Sequence, residues 1–337
     1  MERKTVFVIG AGASAEFGLP VGSGLQNRIS KLVDIRFEDG LRICSGDHDI
    51  YQACKRQGGN PNEFLYAGWR IRDGVKLTDS IDNFLDKHHE DQKVRFIGKL
   101  GIARAISEAE GKSKLAGTRH KPDDTSYMNQ VNGTWVHELF KHLQRAVRKE
   151  DVEQIFSNVS FVIFNYDRCV EKYLRTAVQL AYSIDESLAE QIVREANIFH
   201  PYGTIGNLPG RQLGNGPQVS FGENGRLESM ASNLSTYTEE IENKDLLASI
   251  RSRVGEAEQL CFLGFSYQPQ NMELLTPEVL PVSKRILGTA FGISEFNRAE
   301  IESDLRARFQ TPIGDTRIRL HQGKCADLMR DFGRAFD

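Results

Sequence analysis

Residues 6–20 read VFVIGAGASAEFGLP, and this stretch decides how the rest of the chain is interpreted. An apolar, β-branched run leads into a turn through Gly10 and Gly12 and then into a helix, which is the order of a dinucleotide-binding unit. Gly10 permits a tight turn, Gly12 lets backbone N–H groups approach a ligand, and a helix N-terminus favours a phosphate. The alternative is a plain glycine-rich turn between a core strand and a helix.

The residues that follow argue against an ordinary dinucleotide-binding oxidoreductase. In that class the first helix continues for several turns, and a second strand ends in an acidic residue about 20 positions later. Here residues 18–24, GLPVGSG, interrupt the helix, because Pro20 lacks a backbone donor and glycine disfavours helix. Asp34 lies at a suitable distance, but the apolar spacing over residues 25–35 predicts a helix instead of a strand.

Composition indicates a soluble globular protein. The chain has 337 residues, of which 26% are charged and 39% hydrophobic, with a formal net charge of -3. We expect no nucleic-acid partner from this balance, and no membrane span or signal peptide from the apolar runs. The cysteines are Cys44, Cys54, Cys169, Cys261 and Cys325. They form no C-x-x-C pair, so we expect neither disulfides nor a metal site, and a cytoplasmic location.

Short apolar runs predict the strands of one sheet. They lie near residues 5–9, 160–164, 197–200, 259–264, 284–290 and 316–320. Helical patterns between them predict an α/β fold with a Rossmann-like parallel sheet of about six strands. We expect one domain over residues 1–337, with a mostly helical insertion over 36–150 between the first two strands.

Polar side chains follow the second predicted strand, in Phe164-Asn165-Tyr166-Asp167. Amide and acid groups at the carboxyl end of a parallel strand lie where open α/β sheets bind ligands. The alternative is a turn in which an Asx cap starts the helix that follows.

The third predicted strand ends in residues 200–206, HPYGTIG. In an extended segment residues i and i+2 point to the same face, so His200 and Tyr202 both qualify as pocket residues. Histidine is the better proton acceptor at neutral pH, because its ordinary pKa is about 6.5 against about 10 for tyrosine. On this basis His200 is favoured over Tyr202 as a proton acceptor. A strand-end histidine bonded to backbone is the alternative.

Four stretches, in chain order, resemble motifs of the sirtuin-like superfamily, in its divergent bacterial branch of NAD-consuming domains. They are GAGASAEFGLP, Asn165-Tyr166-Asp167, Gly264-Phe265-Ser266 and the Gly-x-Cys step at Gly323 to Cys325, and they cover residues 5–328. The resemblance implies that NAD is bound by Gly10, Ala11, Gly12, Ser14, Glu16, Pro20, Tyr202, Gly203, Gly264, Ser266 and Cys325.

The resemblance also implies catalytic roles. Asn165 would orient water and the ribose, Asp167 would support the pocket, and a histidine would accept a proton from a ribose hydroxyl. The family usually has His-Gly, whereas here Tyr202 precedes Gly203 and His200 lies two positions earlier. The longer family motif usually begins with threonine, where this chain has Phe164.

The implied reaction is hydrolysis of NAD+ to nicotinamide and ADP-ribose, without a metal. Enzymes of this branch act in anti-phage defence by depleting NAD+, so we expect control by a co-encoded partner or by homo-oligomerisation. One alternative is a regulatory subunit that binds NAD or ADP-ribose with little turnover. A protein deacylase or ADP-ribosyltransferase is less supported, because the four-cysteine zinc module of deacylating sirtuins is missing from this sequence.

Overall fold

The computed structural model describes residues 1–40, 42–117, 125–210, 216–279, 284–310 and 317–337. Within them the strands are β1 (Thr5–Ile9), β2 (Arg36–Glu38), β3 (Arg42–Ser45), β4 (Val159–Ile163), β5 (Asn197–Phe199), β6 (Gln259–Leu263), β7 (Arg285–Thr289) and β8 (Ile318–His321). The helices are α1 (Ala11–Ser14), α2 (Gly22–Val33), α3 (His48–Arg56), α4 (Pro61–Gly74), α5 (Ile81–Lys87), α6 (Gln92–Glu110), α7 (Trp135–Gln144), α8 (Cys169–Tyr182), α9 (Glu186–Glu195), α10 (Leu227–Ser232), α11 (Tyr237–Glu242), α12 (Lys244–Glu256), α13 (Pro269–Leu275), α14 (Glu295–Phe309) and α15 (Cys325–Asp331).

A parallel sheet of six described strands forms the centre, in the order β5-β4-β1-β6-β7-β8. Counted along the chain this is 3-2-1-4-5-6, the order of Rossmann-like doubly wound sheets. The prediction of an α/β fold with about six parallel strands is confirmed. Each predicted strand overlaps an observed one, although residue 316 of the last lies outside the described residues.

Strand β1 is buried on both faces, as a central parallel strand must be when helices cover both sides of the sheet. Because side chains alternate along a strand, Val6 and Val8 join an apolar core with α2, α4 and α6. Phe7 and Ile9 join a second core with α7, α8 and α15 on the opposite face. These two cores fix β1 from both faces, and its carboxyl end lies at the middle of the sheet edge.

The chain between β1 and β4 contains helices together with an antiparallel pair, β2 and β3, that the sequence did not predict. Helices α2, α4, α5 and α6 of this segment pack against one another over one face of the sheet. We call them the helical layer. The limits of the domain and of its insertion stay predictions. Every helix in the described part of the chain is too short or too polar to cross a bilayer.

Candidate functional site

A cavity of about 700 Å³ lies at the carboxyl edge of the sheet, between the strand ends and the helical layer. Its volume is within the range of small-molecule and cofactor sites, about 300–1,000 Å³. Twelve of the predicted site residues line it: Gly10, Ala11, Gly12, Ser14, Glu16, Pro20, Asn165, Asp167, Tyr202, Gly264, Ser266 and Cys325. His200 and Gly203 do not.

The glycines of the first turn are required by backbone packing. The N–H of Gly12 donates to the Gly264 carbonyl at 3.0 Å, and a Cβ on Gly10 would lie 2.6 Å from that oxygen. Gly264 itself has φ +58, and its Cβ would lie 2.1 Å from the Ala13 nitrogen. We predicted that a ligand would approach the backbone N–H groups at Gly12. In the structure the residue after β6, Gly264, makes this close approach. This contact lies between β1 and β6, where the strand order reverses direction.

The two leading motifs are joined by a buried chain of hydrogen bonds. The Asn165 amide nitrogen donates to the Gly10 carbonyl at 3.0 Å and to Ser14 Oγ at 2.7 Å. The Gly10 carbonyl can only accept, so the group that faces it must be the amide nitrogen of Asn165. The side-chain oxygen of Asn165 therefore points elsewhere. No described residue donates a hydrogen bond to that oxygen. An oxygen without a partner that was also fully buried would belong to the orphaned polar atoms, and this oxygen does not. The Asn165 side-chain oxygen is thus accessible at the cavity.

Asp167 lies beside this chain. Cys169 N donates to its Oδ1 at 3.1 Å. Burial raises the pKa of the Asp167 carboxyl, and the neighbouring Ser14 and Cys169 oppose that rise. The bond to Cys169 is an Asx turn just before α8, close to the Asx cap that the sequence offered as an alternative, although the N-cap residue of the helix is Arg168. Asp167 therefore shapes the start of α8 and lines the cavity as well.

Glu16 lines the cavity but is held by two helix ends. Its carboxylate accepts from Trp135 N at 2.8 Å and from Ala326 N at 2.9 Å, in the first turns of α7 and α15. Burial raises the pKa of Glu16, while these two backbone donors lower it. Its contacts favour a structural role that joins three parts of the chain beside the first turn.

His200 faces away from the cavity. Its Nδ1 is 3.2 Å from the Asn165 backbone oxygen and its Nε2 is 2.8 Å from Glu171 Oε1, and both side chains are buried. Gly203 N donates to the His200 carbonyl at 3.0 Å, so the chain turns here and the alternation of an extended strand does not apply. His200 does not line the cavity, so the expectation that it projects into the pocket is corrected. Its catalytic role stays a prediction, and its contacts favour positioning of the Asn165 segment.

Tyr202 lines the cavity within an aromatic wall. Its hydroxyl donates to Asn271 Oδ1 at 2.6 Å, and its ring lies 5.8 Å from Phe164 and 6.4 Å from Tyr166. Phe164, which stands where the sirtuin-like motif usually has threonine, thus packs against Tyr202. Gly203 is behind this wall, at φ +71, where a Cβ would lie 2.0 Å from the Asn233 carbonyl oxygen.

The last motif contributes a buried thiol and an exposed cation. Burial raises the pKa of Cys325, so it is no nucleophile at neutral pH. Gly264 N donates to the Thr289 hydroxyl at 2.8 Å. Lys324 lies at the cavity mouth with its ammonium 5.8 Å from the Phe291 ring centre.

Asp82 and Tyr166 are site residues that the sequence reasoning missed. Asp82 comes from α5, within the predicted helical insertion, and it lines the cavity opposite the strand ends. The Tyr166 hydroxyl, between the two predicted residues of its motif, donates to Asp82 Oδ1. Burial raises the pKa of Asp82, and the tyrosine bond partly opposes that rise. No local pattern pairs positions 84 residues apart, so only the fold reveals the contact.

A buried ion pair joins the helical layer to the segment after β4. Arg168 Nη2 lies 2.5 Å from Glu110 Oε2 at the end of α6, and both side chains are excluded from solvent. Arg168 also donates to the carbonyls of Val219 and Gly206, and Glu110 accepts from Gly222 N at 3.1 Å. Each charge is thus paired and hydrogen-bonded, which a buried ion pair requires.

Acidic groups predominate among the described residues that line the cavity. Glu16, Asp79, Asp82 and Asp167 face a single cation, Lys324. No cluster of three or more metal-ligating side chains is found among the described residues. No protein-family model matches the chain, and no curated protein matches it either. The resemblance to sirtuin-like domains therefore stays a prediction.

Proposed function

We propose that this chain is a sirtuin-like NAD+ hydrolase that releases nicotinamide and ADP-ribose. The observation that supports the proposal most is the pair of hydrogen bonds from the Asn165 amide to Gly10 and Ser14, which join the first two motifs at the edge of a cavity of about 700 Å³ that Asp167 also lines. This cavity lies outside the carboxyl ends of a doubly wound parallel sheet, where such folds bind nucleotides.

The chemistry of the cavity suits departure of neutral nicotinamide from NAD+. When the bond to nicotinamide breaks, positive charge develops on the ribose, and nearby carboxylates stabilise it. The amide nitrogen of Asn165 is committed to Gly10 and Ser14, so only its oxygen is available to a substrate or water. Asn165 would therefore hold a ribose hydroxyl or the attacking water as a hydrogen-bond acceptor. Lys324 is the described cation in position to approach a phosphate.

A second candidate is a subunit that binds NAD or ADP-ribose and turns it over slowly. The position of His200 favours it, because both ring nitrogens are engaged outside the cavity and Tyr202 stands where the family has histidine. In that case the same cavity would bind the nucleotide and report its level to a partner.

As a biological role we propose an anti-phage effector of the cytoplasm. Its NAD+ hydrolysis would be held in check until a co-encoded partner or oligomerisation activates it. NAD is the substrate in this proposal, and the reaction as written needs no metal.

The test is release of nicotinamide and ADP-ribose from NAD+, by the chain alone and with the product of the neighbouring gene. We expect Asn165→Ala to lower turnover about 100-fold or more, because the group that orients water is lost. Asn132→Ala is the matched control, since Asn132 is exposed and outside the cavity.

ADP-ribose binding is measured on the same samples by calorimetry. Wild-type protein that binds the nucleotide without cleaving it under either condition would establish the second candidate. Equal turnover in Asn165→Ala and wild type would contradict the proposed site.

A further inference from the structure

Asp82 differs from the other carboxylates of the cavity in how it is held. Asp167 is buried and accepts from Cys169 N, Glu16 accepts from two backbone N–H groups, and Asp79 is exposed. Asp82 accepts a hydrogen bond on Oδ1 from the Tyr166 hydroxyl, and beyond its own backbone N–H no other described residue donates to its carboxylate. It is therefore the half-buried carboxylate of the cavity that keeps an oxygen for a ligand.

The position of Asp82 is tied to that of Asn165. Tyr166, which holds Asp82, is the next residue after Asn165, and its ring is fully packed in the aromatic wall. The carboxylate thus reaches the cavity from the helical layer, while the Asn165 amide reaches it from the end of β4. A ligand in this cavity would therefore meet hydrogen-bond acceptors on both of its walls, and a water to be deprotonated needs such acceptors.

We propose that Asp82 is the proton acceptor of the hydrolysis, with Tyr166 fixing its orientation. This inference rests on the proposed NAD+ hydrolase function. Water bound between Asp82 and Asn165 attacks the anomeric carbon as the carbon–nitrogen bond breaks. The bonding electrons leave with nicotinamide, which becomes neutral, the water oxygen forms the new bond to carbon, and the water proton passes to the Asp82 carboxylate and then to solvent.

The burial of Asp82 supports this role in addition to its position in the cavity. Burial raises the pKa of Asp82, which makes its carboxylate a stronger base than an exposed one. The titratable group in contact with it is the Tyr166 hydroxyl, whose own pKa is raised by burial and by Asp82, so that hydroxyl stays a donor at neutral pH.

The experiment compares turnover and its pH dependence in wild type, Asp82→Asn and Asp86→Asn, with the activating partner present where it is needed. We expect Asp82→Asn to lower kcat about 100-fold or more and to abolish the fall of kcat at acid pH. ADP-ribose affinity should stay close to that of wild type, because the amide keeps the shape and the bond to Tyr166. Asp86 is the matched control, one turn along α5, bonded to Thr238 and Gln270 and not lining the cavity.

The outcomes separate the two proposals. An active wild type with an equally active Asp82→Asn overturns the role of Asp82 and leaves the hydrolase standing. A wild type that binds ADP-ribose but never cleaves NAD+ overturns both. A Tyr166→Phe variant with reduced kcat and an acid limb shifted along the pH axis would support its orienting role, whereas an unchanged pH profile would contradict it.

Discussion

The cavity has two walls of different origin. The sheet wall consists of the turns after β1, β4 and β6, where Gly10 and Gly264 meet through backbone and the Asn165 side chain donates to the Gly10 carbonyl. The helical wall is formed by α5, whose Asp82 reaches the sheet wall through a single tyrosine hydroxyl. One wall is held by close-packed backbone and the other by side chains. Substitutions in the two walls should therefore differ in what they damage.

The greatest expected effect is on the sheet wall, from Gly264→Ala. The residue has φ +58, and a Cβ would lie 2.1 Å from the Ala13 nitrogen and 2.3 Å from the Gly12 carbonyl carbon. Backbone cannot yield there without moving β1 away from β6, so we expect a loss of unfolding free energy of about 4 kcal/mol or more, or no soluble protein. Urea unfolding followed by circular dichroism measures it.

Gly22→Ala is the control for that prediction. Gly22 also lines the cavity, but nothing lies within 4 Å of its Cβ position. Its substitution should leave stability within about 0.5 kcal/mol of wild type. Equal effects of the two substitutions would show that the contact between the strand ends does not hold this wall.

Sequence predicted the sheet wall well because its signals are local. A buried β-branched run, a glycine pair and polar residues at a strand end are each encoded within a few positions, and the order of strands follows from parallel topology. The same reasoning failed at His200, because a turn closed by Gly203 N replaced the extended backbone that it assumed. It also missed Asp82, whose partner Tyr166 is brought near by folding alone.

The next effect concerns the ion pair that joins the two walls. Arg168→Met leaves Glu110 buried without its charge partner, and breaking a buried pair from one side costs about 3–5 kcal/mol. We expect a loss of about 3 kcal/mol of unfolding free energy in urea, since the backbone N–H of Gly222 still donates to Glu110.

Arg330→Met provides the comparison for an exposed pair. Arg330 lies 2.5 Å from Asp327, but both side chains are about half exposed, at 53% and 41%. Exposed ion pairs contribute about 0–1 kcal/mol, so this variant should unfold close to wild type. A similar loss in both variants would mean that the buried pair does not connect the helical layer to the sheet.

The smallest effect belongs to the helical wall, and its sign is opposite. Burial raises the folded-state pKa of Asp82, so its contribution to stability is fully present below the unfolded pKa, about 3.9, and is lost as pH rises through the folded pKa. Asp82→Asn removes the buried charge, so the variant should gain stability over wild type as pH rises from 4 to 8, by about 1 kcal/mol or less. Unfolding in urea across that range measures the difference. A gain that is independent of pH would argue against a buried ionised carboxylate. Increased stability together with lost turnover would mean that this wall keeps a costly charge for its chemistry, whereas Gly264→Ala in the sheet wall loses stability first.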